Sequence, residues 1–417
     1  MDTPATLRPR QGVAYAALGV PLAFVSLPLY VNLPHHYASV VGVPLATLGA
    51  VMLGVRALDA FIDPALGRLA DRLFQRGSAW RAAALGSVVL ALGFAALWQP
   101  PSGAVLPWLT VALLVSTLAY SAVTIVHQSW GTRWGGGPEL RARVAGWREG
   151  GTLLGVLLAS ALPAWLGWTA TSIALAVLLL VGLAGLRSVP ATLTVDTTTS
   201  ASPWGHAAFR QLLAVFMLNG IASAIPATLL PFFLADRLQL PSWQAPLLLA
   251  YFGAAVLGLP LWVRAAGRWG VSPMWRLGMA ASVLAFAVTP WLGAGDGVAF
   301  AAVCVCSGLA LGADLALPGA LLTGVIHHAG AGGRGEGAYL GWWACATKLN
   351  LALAAGLALP LLAAAGYQVN SGSGIAEAPG LQALAWAYGG LPCILKLVAW
   401  AALRRGERLN PTWKDRE

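Results

Sequence analysis

Hydrophobic positions in this chain do not alternate with polar ones, as they do in half-buried strands. They gather into long apolar runs separated by short charged segments. A helix that crosses a bilayer needs about 20 mostly apolar residues. By that measure, runs at 12–34, 44–66, 82–100, 105–128, 145–167 and 169–186 each predict a spanning helix, as do 210–234, 244–264, 276–294, 298–326, 338–365 and 380–403. Proline and glycine inside these runs are compatible with spans, because packed neighbours satisfy the freed backbone groups. The first run is too long for the apolar core of a signal peptide and lacks an A-x-A cleavage site, so it reads as a span. The stretch from Ser188 to Arg210 is the one long polar segment. The pattern predicts an all-α integral membrane protein: a six-helix half over 1–187, a cytoplasmic linker over 188–209, a second six-helix half over 210–405 and a cytoplasmic tail over 406–417.

Composition strengthens this reading. Hydrophobic residues make up 58% of the 417 and charged residues 10%, against about 25% charged in a soluble domain. The mean hydropathy is +0.73. The net charge of +10 would suit nucleic acid if it formed one stripe, but the basic residues come in small groups between apolar runs, and no nucleic-acid partner is expected. With the N-terminus placed in the cytoplasm, 20 of the 25 basic residues fall in inside segments and only Arg237 in an outside loop, as the positive-inside rule requires. The expectation is a monomer in the cell (inner) membrane, with both termini cytoplasmic. Cys304, Cys306, Cys345 and Cys393 lie in apolar runs and read as small core residues.

Ionisable groups inside spans are costly and usually paired or functional. The second run carries Arg56, Asp59 and Asp63 at spacings of three and four, hence on one helix face. Two carboxylates and a guanidinium suit either a cation site or a structural ion-pair cluster. Na⁺ wants oxygen ligands; a proton wants a carboxyl that can be neutral. The fifth run carries Arg148, a substrate ligand or a partner for Asp59 or Asp63, unless the adjacent Glu149 neutralises it. Asp314 lies in the tenth run and Lys348 in the eleventh, a turn after Trp342 and Trp343, which could form a platform for a flat solute. Lys396, read as nearer a helix end, is expected to snorkel to the interface. Tyr120, Ser121, Thr124, His127 and Gln128 recur at helical spacing in the fourth run and suit a cavity wall.

Enzyme motifs are missing: there is no H-E-x-x-H, G-x-S-x-G or G-x-x-x-x-G-K-[ST]. His35-His36 and His327-His328 fall on opposite sides of the predicted topology, so no metal site is expected. No cofactor is expected beyond a coupling ion, Na⁺ or H⁺.

Two six-span halves joined by a polar linker is the layout of the major facilitator superfamily fold. The segment Gly67-Arg-Leu-Ala-Asp71-Arg72 resembles that superfamily's cytoplasmic loop signature. The string Arg56-Ala-Leu-Asp59-Ala-Phe-Ile-Asp63-Pro64, of the form R-x-x-D-A-x-x-D-P, resembles the span-two signature of the glycoside–pentoside–hexuronide:cation symporters, the melibiose-carrier group. Gly333 through Lys348 resembles that family's loop before span eleven and its span-eleven lysine. The resemblance implies a cation-coupled symporter of a small organic solute, a sugar or glycoside, working by alternating access. It makes Asp59, Asp63, Ser121 and Thr124 cation-site candidates. Arg148, Lys348, Tyr120, Gln128, Trp343 and Asp314 become substrate-site candidates, and Gly67, Asp71, Arg72, Arg141, Arg334 and Glu336 gating candidates. The chain departs from the melibiose carriers in three places, one of them Gln128, which stands where they have an aromatic. Gly19-Val20-Pro21-Leu22 has no aspartate where they have one, and Thr124 replaces a second. The alternative is a proton-coupled exporter, or a carrier of an organic anion, amino acid or lysolipid.

Overall fold

A computed structural model describes residues 8–33, 36–37, 40–43, 45–101, 103–134, 137–189, 202–332, 335–365, 367, 378–410 and 413. The chain is helical almost throughout. In order come α1 (Pro9–Leu27), α2 (Leu45–Gln75), α3 (Ala79–Leu97), α4 (Val105–Thr132), α5 (Pro138–Arg187), α6 (Ala207–Phe232), α7 (Gln244–Trp269), α8 (Val271–Phe286), α9 (Gly297–His328), α10 (Glu336–Ala364), α11 (Ala378–Ala385) and α12 (Leu391–Leu409). The π-helical turn Trp386–Gly390 joins α11 to α12, and others extend α1 (Pro28–Asn32) and α6 (Phe233–Arg237).

Each apolar run of the sequence is helical over most of its described residues. Among the described residues, eight helices are long and apolar enough by length and composition to cross a membrane. The α2 helix carries six charged residues in its 31. The 50 residues of α5 cover two runs and break at Gly167, whose φ of 73° and ψ of 175° are non-helical. A side chain is disfavoured at that φ, so glycine marks the corner. The central linker from 190 to 201 and the tail at 411–412 and 414–417, including Lys414, lie outside the described residues.

The chain divides into two compact units. One comprises Met1–Gly136, Arg143–Gly205 and Ile326–Cys345; the other comprises Gly137–Ala142, His206–Val325 and Ala346–Glu417. In the first unit, α4 packs against α1, α2 and α3. In the second, α12 packs against α6 and α8, and α7 against α8. Its core includes Ile225, Leu229, Phe233, Phe300 and Tyr388, with the Phe233 and Tyr388 rings stacked 4.1 Å apart.

Many large apolar side chains lie on the outer surface. Phe61, Leu92, Leu284 and Val298 are all more than two-thirds exposed, which suits a hydrocarbon solvent. The α2 helix shows the inversion best: Phe61 is 72% exposed while Asp59 and Asp63 are 2% and 0% exposed.

Two boundaries move. The Gly67–Arg76 motif, read as a loop, is helical through Gln75, because nothing between Pro64 and Gly77 breaks the helix. Arg141 and Arg143 likewise sit on helix, since α5 begins at Pro138, a residue suited to a first helical position.

Candidate functional site

Among the described residues, three polar clusters in the apolar interior bear on the site, two in the first unit and one in the second. The first is built on α2 and α4. Asp59 and Asp63 are four residues apart and share the inward face of α2. The Ser121 hydroxyl on α4 donates to Asp59 Oδ1 at 2.8 Å, both groups being buried. Thr124, three residues on and on the same α4 face, has a buried Oγ1 without a hydrogen-bond partner among the described residues. The cluster therefore offers carboxylate and hydroxyl oxygens away from bulk water, the donor set that hard cations prefer. Tyr120 and Gln128 are half-buried on the same helix. His127 has another role: its Nε2 lies 2.9 Å from the Tyr15 carbonyl, and its ring packs on Tyr15. It ties α4 to α1.

Arg148, on the first limb of α5, pairs with its neighbour. Its Nε and Nη2 donate to Glu149 Oε1 at 3.0 and 2.8 Å. The local neutralisation allowed for in the sequence is what the structure contains.

The second cluster lies past the apolar stretch of α2, where Asp71 meets the first turn of α10. The backbone N–H groups of Gly337 and Ala338 donate to the two Asp71 oxygens at 2.7 and 2.9 Å. The first N–H groups of a helix have no partner within it and carry its positive partial charge. Asp71 thus caps α10 from 266 residues away in sequence. Arg133, just past the end of α4, places Nη2 2.9 Å from Glu336 and 3.6 Å from Asp71, with its guanidinium 4.1 Å from the Phe74 ring centre. Burial raises the Asp71 carboxyl to about 7, helped by the Glu336 charge and opposed by the two N–H donors and Arg133. Glycine is required at Gly67, because a β-carbon there would collide with the Gly337 carbonyl. Arg72 is exposed and stands apart from this cluster, and Arg334 lies outside the described residues. Replacing Arg133 with Lys keeps the charge but loses the Nη2 position that reaches both carboxylates. Arg133→Lys is expected to cost about 1.5–3 kcal/mol, seen as a lower thermal midpoint in detergent; an unchanged midpoint would show that the bridge contributes nothing.

The third cluster belongs to the second unit and joins four helices. Lys396 of α12 donates to Asp314 Oδ2 at 2.7 Å and to Asn219 Oδ1 at 2.9 Å. Asp314 Oδ1 accepts from Asn219 Nδ2 at 3.0 Å and from the Trp275 indole at 2.9 Å. Lys396 does not snorkel. It is 6% exposed, and α12 runs on to Leu409, so 13 residues, about 20 Å of helix, separate it from the helix end. It shares a buried stripe with Pro392, Ala399 and Leu403.

The other candidates are placed as follows. Trp343 is buried in the first unit, while Lys348 is half-buried in the second. Also in the second unit, the Arg141 guanidinium lies against Gly324. Of the histidine pairs, His36 packs edge-on against Trp98 and His327 lies 2.9 Å from the Thr132 carbonyl; His35 is outside the described residues. Among the described residues no group of three or more His, Cys, Asp or Glu side chains is placed to hold a metal ion.

Sequence reasoning passed over Arg133, Asn219 and Trp275 and misplaced Lys396. A visible signal existed for two of them. Asn219 is the one amide between Leu212 and Leu234, and Lys396 sits at the i+4 and i−3 positions of an apolar stripe.

No curated protein matches the chain. Solved structures with the same fold are many. FucP, a major facilitator superfamily transporter in its outward conformation, aligns with a TM-score of 0.70 at 12% identity over 95% of this chain and 98% of that one. A bacterial homologue of the iron transporter ferroportin, in an outward-facing state, aligns with a TM-score of 0.69 at 14% identity over 96% and 100%. A further structure of FucP, the E. coli fucose:proton symporter, gives 0.68 at 12% identity over 95% and 97%. A family model described as MFS/sugar transport protein matches residues 12–407, nearly the whole chain. The chain therefore belongs to the MFS/sugar transport protein family and is a secondary transporter of the major facilitator fold.

Proposed function

We propose that the chain is a symporter of the glycoside–pentoside–hexuronide:cation type, driving a small organic solute, a sugar or glycoside, with Na⁺ or H⁺. The observation that carries this reading is the buried hydrogen bond from Ser121 to Asp59, with Asp63 fully buried one turn along. Buried carboxylates inside a membrane protein are costly unless they neutralise a partner, and a coupling ion is such a partner. Asp59, Asp63, Ser121 and Thr124 hold the ion. Arg148, Lys348, Tyr120, Gln128, Trp343 and Asp314 serve the solute, and Gly67, Asp71, Arg72, Arg141, Arg334 and Glu336 serve gating. The protein acts as a monomer in the inner membrane with both termini in the cytoplasm.

Ion binding is the testable core of this reading. A ligand that binds only the folded state stabilises it by about 2.7 kcal/mol at a hundredfold excess over its Kd. Purified protein is expected to gain thermal stability with NaCl over choline chloride, or with falling pH in the proton-coupled case. Asp59→Asn is expected to remove that response. Equal responses from both proteins would sink the assignment.

A second reading keeps the ion site and changes the solute or the direction of flux. It is favoured by Thr124, whose hydroxyl stands where the melibiose carriers have a sugar-gripping carboxylate and has no hydrogen-bond partner among the described residues. Screening glycosides, uronates, amino acids and lysolipids separates the solutes, and the direction of flux in energised vesicles separates uptake from export.

A further inference from the structure

The second unit holds a partly open cavity of about 120 Å³, lined from α6, α7, α8, α9, α12 and the turn that joins α11 to α12. An apolar cavity of about 150 Å³ stays dry and takes up benzene, so this one has room for a single ring. Most of its wall is aliphatic or aromatic, including Leu230, Phe252, Phe286 and Val303. Polar groups break that pattern: the hydroxyls of Ser223, Ser282 and Ser307, the last donating to the Val303 carbonyl, and the side chains of Tyr251, Tyr388, Asp314 and Lys396. Among the described residues neither tyrosine hydroxyl has a hydrogen-bond partner in the protein. An apolar pocket with a few convergent polar groups is the usual form of a small-molecule site.

Charge decides the ligand class. The Lys396 ammonium is matched by Asp314 at 2.7 Å and fills a second bond with Asn219 at 2.9 Å. An ammonium has three donors, which leaves one. An anion entering the cavity would meet Asp314, and a cation would meet Lys396; neither finds a net opposite charge. A neutral molecule meets no such conflict, and its oxygen can bond with the tyrosine hydroxyls or the remaining ammonium proton.

We propose that this cavity binds a small, uncharged, ring-sized apolar molecule bearing one hydroxyl or carbonyl oxygen, recognised by Tyr251, Tyr388 and Lys396. The site is distinct from the α2 carboxylates, which belong to the other unit; it shares Asp314 with the solute-binding set proposed above, but its test reads binding and not coupled transport.

Equilibrium dialysis of the full-length protein in detergent tests it, with radiolabelled phenol as the probe and excess unlabelled phenol defining the saturable part. Toluene, benzoate and benzylammonium serve as competitors. Saturable phenol binding is expected, with benzoate and benzylammonium competing at least about tenfold more weakly than phenol. Val303→Phe, which fills the cavity, is expected to weaken phenol binding by about tenfold or more. Tyr388→Phe is expected to weaken phenol about fivefold and leave toluene unchanged. If Val303→Phe does not fold, the phenol-to-toluene ratio in Tyr388→Phe decides alone. Three results would overturn the proposal: no saturable phenol binding, equal affinity in the folded Val303→Phe protein, or a Tyr388→Phe protein whose phenol-to-toluene ratio is that of the parent. Benzoate bound as tightly as phenol would overturn the neutral-ligand assignment.

Discussion

Replacing Asp63 with Asn is expected to abolish gradient-driven uptake while leaving the protein inserted and folded. The two side chains have nearly the same shape, so packing on α2 is preserved. What changes is charge: the amide cannot neutralise a cation or carry a proton. Asp63 is wholly buried, four residues from a carboxylate already held by Ser121, so no solvent-exposed acid stands ready to replace it on that face. Coupling requires that the ion favour one state of the carrier over another, and a site without its charge loses most of that preference. The expected fall in concentrative uptake is on the order of a hundredfold, since one buried charged interaction supplies about 2–3 kcal/mol. Proteoliposomes with an imposed Na⁺ or pH gradient provide the measurement, and downhill exchange of solute serves as the control for folding. Concentrative uptake at the parental rate by Asp63→Asn would remove Asp63 from the coupling site.

The other large effect is expected at Lys396. Removing one member of a buried ion pair leaves the other charge uncompensated, at a cost of about 3–5 kcal/mol. Lys396→Met would strand Asp314, which keeps only the Asn219 and Trp275 donors. The thermal midpoint of the purified protein should fall steeply. The double change Lys396→Met with Asp314→Leu should recover most of the loss, because a buried pair can be exchanged for packed apolar groups at little cost. A single variant as stable as the parent would mean that water reaches the pair and screens it. A double variant no better than the single would mean that the network with Asn219 and Trp275, rather than the charge pair, holds the four helices together.

The helical fold was legible because lipid imposes a crude rule: long apolar runs, charged ends, few exceptions. The corner at Gly167 was legible for the same reason, falling where two runs meet. Helix ends were less so. The charged turns after Pro64 look like a loop by hydropathy, yet they continue α2 to Gln75, because hydropathy reports the solvent around a residue and not its backbone geometry. The carboxylates of α2 were legible from spacing alone, and Ser121 from a family pattern. Partners across helices were not. Whether Arg148 answers Glu149 or an α2 carboxylate, and whether Lys396 reaches water or Asp314, depends on how helices are rotated about their axes. Hydropathy windows average over that rotation. For Lys396, the stripe shared with Pro392, Ala399 and Leu403 contained the answer, but it becomes informative only when the helix is known to run past residue 403.

The inside-out character of α2 also bears on how this helix is free to drift in evolution. Phe61 looks outward between two acids that look inward, so neighbouring codons answer to different solvents. At outward positions any oily side chain serves, and sequence is nearly neutral there. At inward positions even an isosteric loss of charge matters. A record of tolerated substitutions along α2 should therefore rise and fall with the 3.6-residue turn of the helix, and the troughs would mark the face turned away from lipid.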